Sequence, residues 1–130
     1  MKVLVDSTVW IDFFRGKETL QTEKPARCIG NDDDVCICGF ILTEVLQGIR
    51  DEKEHLAVKK HFENLLYLEA DRSTFELGAS IYRELRRKGS TIRNSMDCLI
   101  AAIVLQQGVH FLENDRYYES IDRHYPLNRI

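Results

Sequence analysis

The chain has 130 residues, 44% hydrophobic and 30% charged, and a net charge of −3. That length suits one domain, residues 1–130, whose core needs neither disulfides nor a structural metal. The negative balance excludes a wholly basic nucleic-acid binder, so any nucleic-acid site must rest on a local patch or on metal ions.

Lys2-Val3-Leu4-Val5 reads as a short β-branched strand that runs straight into Asp6. Only three apolar residues separate Lys2 from Asp6, too few for a secretion signal. No apolar run approaches the ~20 residues of a membrane span. The expected location is the cytoplasm, without a membrane partner and with reduced thiols. Thr8 to Arg15 has apolar residues at helical spacing, with Ser7 or Thr8 as cap and Gly16 as terminator. A partly polar helix is predicted over 18–29, and Gly30 to Asp34 is a turn. Val35 to Cys38 reads as a buried strand ended by Gly39. The cysteines (Cys28, Cys36, Cys38 and Cys98) lack zinc-site spacing and read as apolar packing residues.

Phe40 to Ile49 is predicted helical, as is Glu52 to Leu66, with His55, Lys59 and Lys60 outward; Leu66 to Leu68 is a short strand candidate. Ser73 to Lys88 is a long amphipathic helix whose closing cations suit its dipole and whose Gly89 suits the C′ position. Ser90 to Ser95 is a polar loop. Met96 to Gln107 is apolar nearly all round, so it should be buried, and Gly108 stops it. Val109 to Leu112 is a strand, Asn114-Asp115 a turn and Tyr117 to Arg123 a last helix. Pro126 leaves room only for a small edge strand. Strands alternating with helices imply an α/β three-layer sandwich with a central parallel sheet of about four to five strands.

In such a sheet the strand carboxyl ends gather at one edge, where sites form. Asp6 and Asp115 both leave strands there. Asp97 opens the most apolar helix, and Glu44 lies in an otherwise apolar one. Each has an ordinary reading: Asp97 as a dipole partner, Asp115 as a turn former or cap, Glu44 as a solvated acid. Together they point to one cluster. Two carboxylates ~5 Å apart repel by roughly 3 kcal/mol at an effective dielectric of ~20. Mg²⁺ or Mn²⁺ would neutralise such a group and keep waters for chemistry. Arg93 and Arg116 border these segments. His55, His61, His110 and His124 lie outside them, which argues against histidine-based RNA cleavage.

The motifs Val5-Asp6-Ser7 with Trp10-Ile11-Asp12 and Phe14-Arg15-Gly16, then Thr43-Glu44-Val45 with Gly48, then Asp97 with Leu99-Ile100-Ala101-Ala102, then Asn114-Asp115-Arg116 resemble the PIN-domain family. More narrowly, they resemble the VapC toxins of VapBC toxin–antitoxin systems. The resemblance implies a PIN-like fold and a Mg²⁺- or Mn²⁺-dependent endoribonuclease, a homodimer, held inactive by a VapB-type antitoxin and cutting transfer or ribosomal RNA loops. It assigns Asp6, Glu44, Asp97 and Asp115 as catalytic metal-binding acids, with Ser7 and Asn114 in support. The last motif often carries a further acid where this chain has Tyr117, and Glu113 is a candidate substitute. Arg83, Arg86, Arg87, Lys88 and Arg93 form the densest basic run and are read either as a phosphate track or as a solvated helix end. An antitoxin segment is expected in the groove beside Trp10, Phe13 and Phe14, unless these aromatics are core. The alternatives are a housekeeping PIN nuclease in RNA maturation and a non-catalytic binding module.

Overall fold

A computed structural model describes residues 1–16, 34–90 and 94–130. The helix expected over 18–29, most of the turn after it, Cys28 and Arg93 lie outside the described residues. Among these residues the order is β1 (Lys2–Val5), α1 (Ser7–Phe14), β2 (Asp34–Cys38), α2 (Gly39–Gln47), α3 (Glu52–Phe62), β3 (Leu66–Leu68), α4 (Arg72–Arg87), α5 (Ser95–Gln107), β4 (His110–Leu112) and α6 (Tyr118–His124). The four strands form one parallel sheet in the order β3-β2-β1-β4.

β1 is central, pairing Leu4 with Cys36 on one side and with Phe111 on the other. Val3, Leu4 and Val5 are all fully buried. Successive strand residues point to opposite faces, so helices must cover both, which is why β1 is an unbroken apolar run. Cys36, Cys38 and Cys98 are free, buried thiols, and burial pushes the pKa of Cys38 and of Cys98 up to about 11. They behave as small apolar residues.

Several boundaries differ from the sequence reading for clear physical reasons. Asp6, rather than Ser7 or Thr8, caps α1: its carboxylate accepts the Thr8 N–H. Gly39 begins α2 instead of merely ending β2. α3 stops at Phe62, because Leu66 is already taken up by β3. His55 is half-buried, whereas Lys59 and Lys60 are outward. α4 opens with a capping box in which Asp71 accepts from Thr74 N–H and Thr74 Oγ1 accepts from Asp71 N–H. Asn94 caps α5 by accepting the Asp97 N–H at 3.2 Å. The chain end lies along the free edge of β4, with Phe111 N–H bonding Asn128 O and Ile130 N–H bonding Phe111 O. That is the short edge segment expected beyond Pro126.

α4 and α5 pack along each other, and Gly78 sets their separation. A Cβ at position 78 would fall 2.6 Å from Leu99 Cδ2 and 3.5 Å from Leu99 Cα. α1 carries Trp10 inward, fully buried and ringed by Phe13, Phe14, His61 and Phe62. Trp10 is therefore core, while Phe13 and Phe14 remain half-buried. Among the described residues no helix is long and apolar enough to cross a membrane.

Candidate active site

β1 delivers Asp6 to the carboxyl edge of the sheet, where the Asp6 N–H bonds Leu112 O at the end of β4. The ends of the two strands are thereby fastened together. Asp6 is only 2% exposed. Its Oδ2 accepts from Thr8 Oγ1 at 2.9 Å and from Thr8 N–H at 3.4 Å. Its Oδ1 accepts the Tyr118 hydroxyl at 3.3 Å. Burial pushes the Asp6 carboxyl from 3.8 up to about 6, against the lowering effect of its bonds to Thr8 and Ser7, and the Asp97 charge adds to the rise.

Asp97 lies in the first turn of α5 and is 3% exposed. The Asn94 cap fixes that turn, and the helix dipole favours a negative charge there. Glu44 is half-buried on α2. The fields of Asp6, Asp97 and Glu44 all act on the buried Tyr118 hydroxyl, and with desolvation they hold it well above its ordinary range. Asp6 and Glu44 likewise act on Cys38. Three of the four predicted acids therefore act on one buried hydroxyl.

Asp115 reaches the same edge by another route. It is 8% exposed, and its Oδ1 accepts the Tyr117 N–H at 3.0 Å while its carbonyl accepts the Tyr118 N–H at 3.1 Å. It thus serves as the turn former of its ordinary reading and stands at the base of the helix that carries Tyr118. Glu113, considered above as a substitute outer acid, has both oxygens committed. Oε2 accepts the Asp115 N–H at 2.6 Å, and Oε1 meets Arg129 Nε at 2.7 Å. Arg129 also faces Asp122 at 3.6 Å. Glu113 is a strut that shapes the Asp115 turn. Ser7 is buried beside Asp6, whereas Asn114 is exposed.

Sequence reasoning missed Tyr118 and Asn94, and it read Glu113 as a substitute acid where the structure shows a support for the Asp115 turn. A cap signal in Asn94-Ser95-Met96-Asp97 was present for Asn94. Nothing local announces Tyr118 or the partner of Glu113.

The donor set suits a hard divalent cation: carboxylate oxygens, a buried acid whose ionised form is disfavoured by its surroundings, and a second acid whose field reaches it. Among the described residues no three His, Cys, Asp or Glu side chains already stand in cation-holding geometry. The histidines are elsewhere: His61 packs on Trp10 and Phe14, and Lys88 approaches His124 at 3.4 Å.

The basic run divides. Arg87 and Lys88 pair with Glu84. Arg86 lies over the Tyr82 ring at 5.7 Å, and with Arg83 it lines a cleft between α4 and α5 whose other wall includes Ser95 and Leu99. These residues bracket Asp97 in sequence. A second cleft, between α1 and α2, is walled by Ile11, Phe14, Val45 and Ile49, with Arg15, Arg50, Asp51 and Glu54 at its rim.

Comparison with known proteins agrees with this architecture. Two relatives are each 29% identical over 123 residues, spanning 93% of this chain and 92% of their own: VapC ribonuclease Mb1587 of Mycobacterium bovis and ribonuclease VapC11 of Mycobacterium tuberculosis. Among solved structures, VapBC2 from Rickettsia felis, bound to a promoter DNA fragment, superposes with a TM-score of 0.76 at 16% identity, covering 100% of this chain and 96% of that one. DNA-bound VapBC from Salmonella typhimurium gives 0.74 at 22% identity over 100% and 96%. VapC20 from Mycobacterium tuberculosis, a Sarcin-Ricin loop cleaving toxin, gives 0.63 at 12% identity over 91% and 93%. The PIN-domain family model matches residues 3–124, and with the parallel sheet and its acidic edge this places the chain in the PIN-domain family.

Proposed function

We propose that this chain is a divalent-metal-dependent endoribonuclease, a single PIN domain acting in the cytoplasm as the toxin of a VapBC-type pair. The carrying observation is that Asp6, buried at the carboxyl edge of the sheet, and the buried Asp97 act together with Glu44 on one buried hydroxyl, that of Tyr118. The names of the relatives support ribonuclease chemistry, and those of the structural neighbours support a VapB-type antitoxin as partner.

Asp6 and Asp97 would hold the metal directly, and Glu44 and Asp115 would complete the shell, directly or through water. A bound Mg²⁺ or Mn²⁺ supplies polarisation of a phosphoryl oxygen and a water of lowered pKa for in-line attack. The chain's own residues do the rest. Thr8 and Ser7 partly offset the burial that disfavours the ionised form of Asp6, Asn94 caps the turn that carries Asp97, and Glu113 shapes the turn that presents Asp115. Arg83 and Arg86, on α4 ahead of the Asp97 helix in the chain, take backbone phosphates of an RNA loop. Arg87 and Lys88 are held by Glu84 and add charge to the rim.

The cleft of Ile11, Phe14, Val45 and Ile49 would take an amphipathic antitoxin segment, its apolar floor and mixed-charge rim suiting an amphipathic helix.

The test is cleavage of transfer and ribosomal RNA by the purified protein with Mg²⁺, with EDTA, and as Asp97→Asn. Cleavage is expected only in the first arm. Products that persist in EDTA or in the variant refute the reading. Co-purification with the product of a small neighbouring gene distinguishes a toxin from a housekeeping nuclease.

A further inference from the structure

The Tyr118 side chain is fully buried, and its hydroxyl stands where the fields of Asp6, Asp97 and Glu44 converge. Its ring packs edge-on against Phe111 of β4 at 4.9 Å, which fixes the ring plane. The fixed ring aims the hydroxyl at Asp6 Oδ1, 3.3 Å away. Thr8 takes the other oxygen, Oδ2. A carboxylate bonded through one oxygen can still turn about its Cβ–Cγ bond, but one bonded through both is held in a single plane. Thr8 is two residues from Asp6 and comes with the helix cap, whereas Tyr118 is 112 residues away. Its bond therefore forms only when α6 has docked.

We propose that Tyr118 is a positioning residue for the acidic site, its hydroxyl fixing the plane of the Asp6 carboxylate. This rests on the proposed metal-binding role of these acids. Donors behind a metal-ligating carboxylate orient it, and their loss weakens metal binding by about 10–100-fold. Each Asp6 oxygen keeps acceptor capacity beyond its present bond, so the hydroxyl orients the group without exhausting it. The backbone of the same residue is tied to Asp115, whose carbonyl accepts the Tyr118 N–H. One residue thus links the acid of β1 to the acid beyond β4.

The test is Tyr118→Phe, which keeps the ring and its packing on Phe111 and removes only the hydroxyl. Mn²⁺ affinity is read from the electron paramagnetic resonance signal of free Mn²⁺, and RNA cleavage as kcat and KM separately. The expected result is Mn²⁺ affinity lowered by about tenfold or more, kcat lowered, KM for RNA unchanged, and the thermal midpoint in EDTA little altered. Mn²⁺ affinity and kcat within about twofold of the parent overturn the proposal. So does a loss of thermal stability with unchanged Mn²⁺ affinity, the mark of a purely structural residue.

Asp97→Asn runs alongside. If it loses Mn²⁺ while Tyr118→Phe retains it, the acidic site stands and the positioning role falls. If Asp97→Asn retains Mn²⁺ at full affinity, both fall. Should Tyr118→Phe fold poorly, the protein labelled with 3-fluorotyrosine carries the same question. A buried tyrosine resonance that shifts with Mg²⁺ in the parent and not in Asp6→Asn supports the proposal, and the absence of any shift overturns it.

Discussion

Replacing Asp6 with asparagine should make the metal-free protein more stable while abolishing metal binding. The carboxyl is 2% exposed, and burial lifts it from 3.8 to about 6. A raised acid binds its proton more tightly in the folded state than in the unfolded one. It therefore favours folding at low pH, and that contribution is lost as pH rises from about 4 through about 6. The shift of roughly 2 units corresponds to about 3 kcal/mol of destabilisation from the ionised, buried carboxylate at neutral pH. Asparagine can still accept from Tyr118 through Oδ1, but it loses the Thr8 N–H acceptor, a hydrogen bond of about 1 kcal/mol. The net gain is about 2 kcal/mol, or roughly 1 M in the urea midpoint. Urea unfolding in EDTA at about pH 7.5 should show that gain, and at about pH 4 it should shrink or reverse. Saturating Mn²⁺ should then raise the midpoint of the parent and not of Asp6→Asn. An Asp6→Asn protein no more stable than the parent in EDTA at neutral pH would refute the placement of Asp6 as a buried, disfavoured charge.

Arg129→Ala leaves the Glu113 carboxylate buried without its ion pair and should destabilise the fold by about 3 kcal/mol in urea unfolding, with Arg129→Lys intermediate. Gly78→Val should separate α4 from α5 and lower stability by about 1–3 kcal/mol despite removing a helix glycine, with reduced near-ultraviolet circular dichroism as the packing readout. An unchanged midpoint for either would contradict the contacts described.

Much of the fold is legible in the residues because α/β punctuation is strong. Gly16, Gly89 and Gly108 all carry positive φ at helix ends, where glycine is the cheapest residue. Asp6 was found from its strand, since three buried residues in a row predict coverage on both faces. Its capping role was not, because Asp6 and Ser7 are equally good caps and only geometry chooses. Phe75 fits the apolar stripe of its helix, yet tertiary packing leaves it half out, edge-on to Phe40 at 6.1 Å. The acids were readable as a set through order and spacing. Tyr118 and Glu113 were not, because each takes its role from a partner that only the folded chain brings near: Asp6 for one, Arg129 for the other.

The parallel sheet has a consequence for how the protein is made. Its centre is β1, but the neighbour that completes its far side is β4, made only after residue 109. Asp97, Asp115 and Tyr118 also emerge late. A nascent chain therefore carries Asp6 for most of its synthesis without the elements that turn it into a site. Synthesis proceeds at about 5–20 residues per second, so this interval lasts several seconds. The acidic edge would thus be completed only when the segment from Asp97 to Tyr118 folds back onto the first strand.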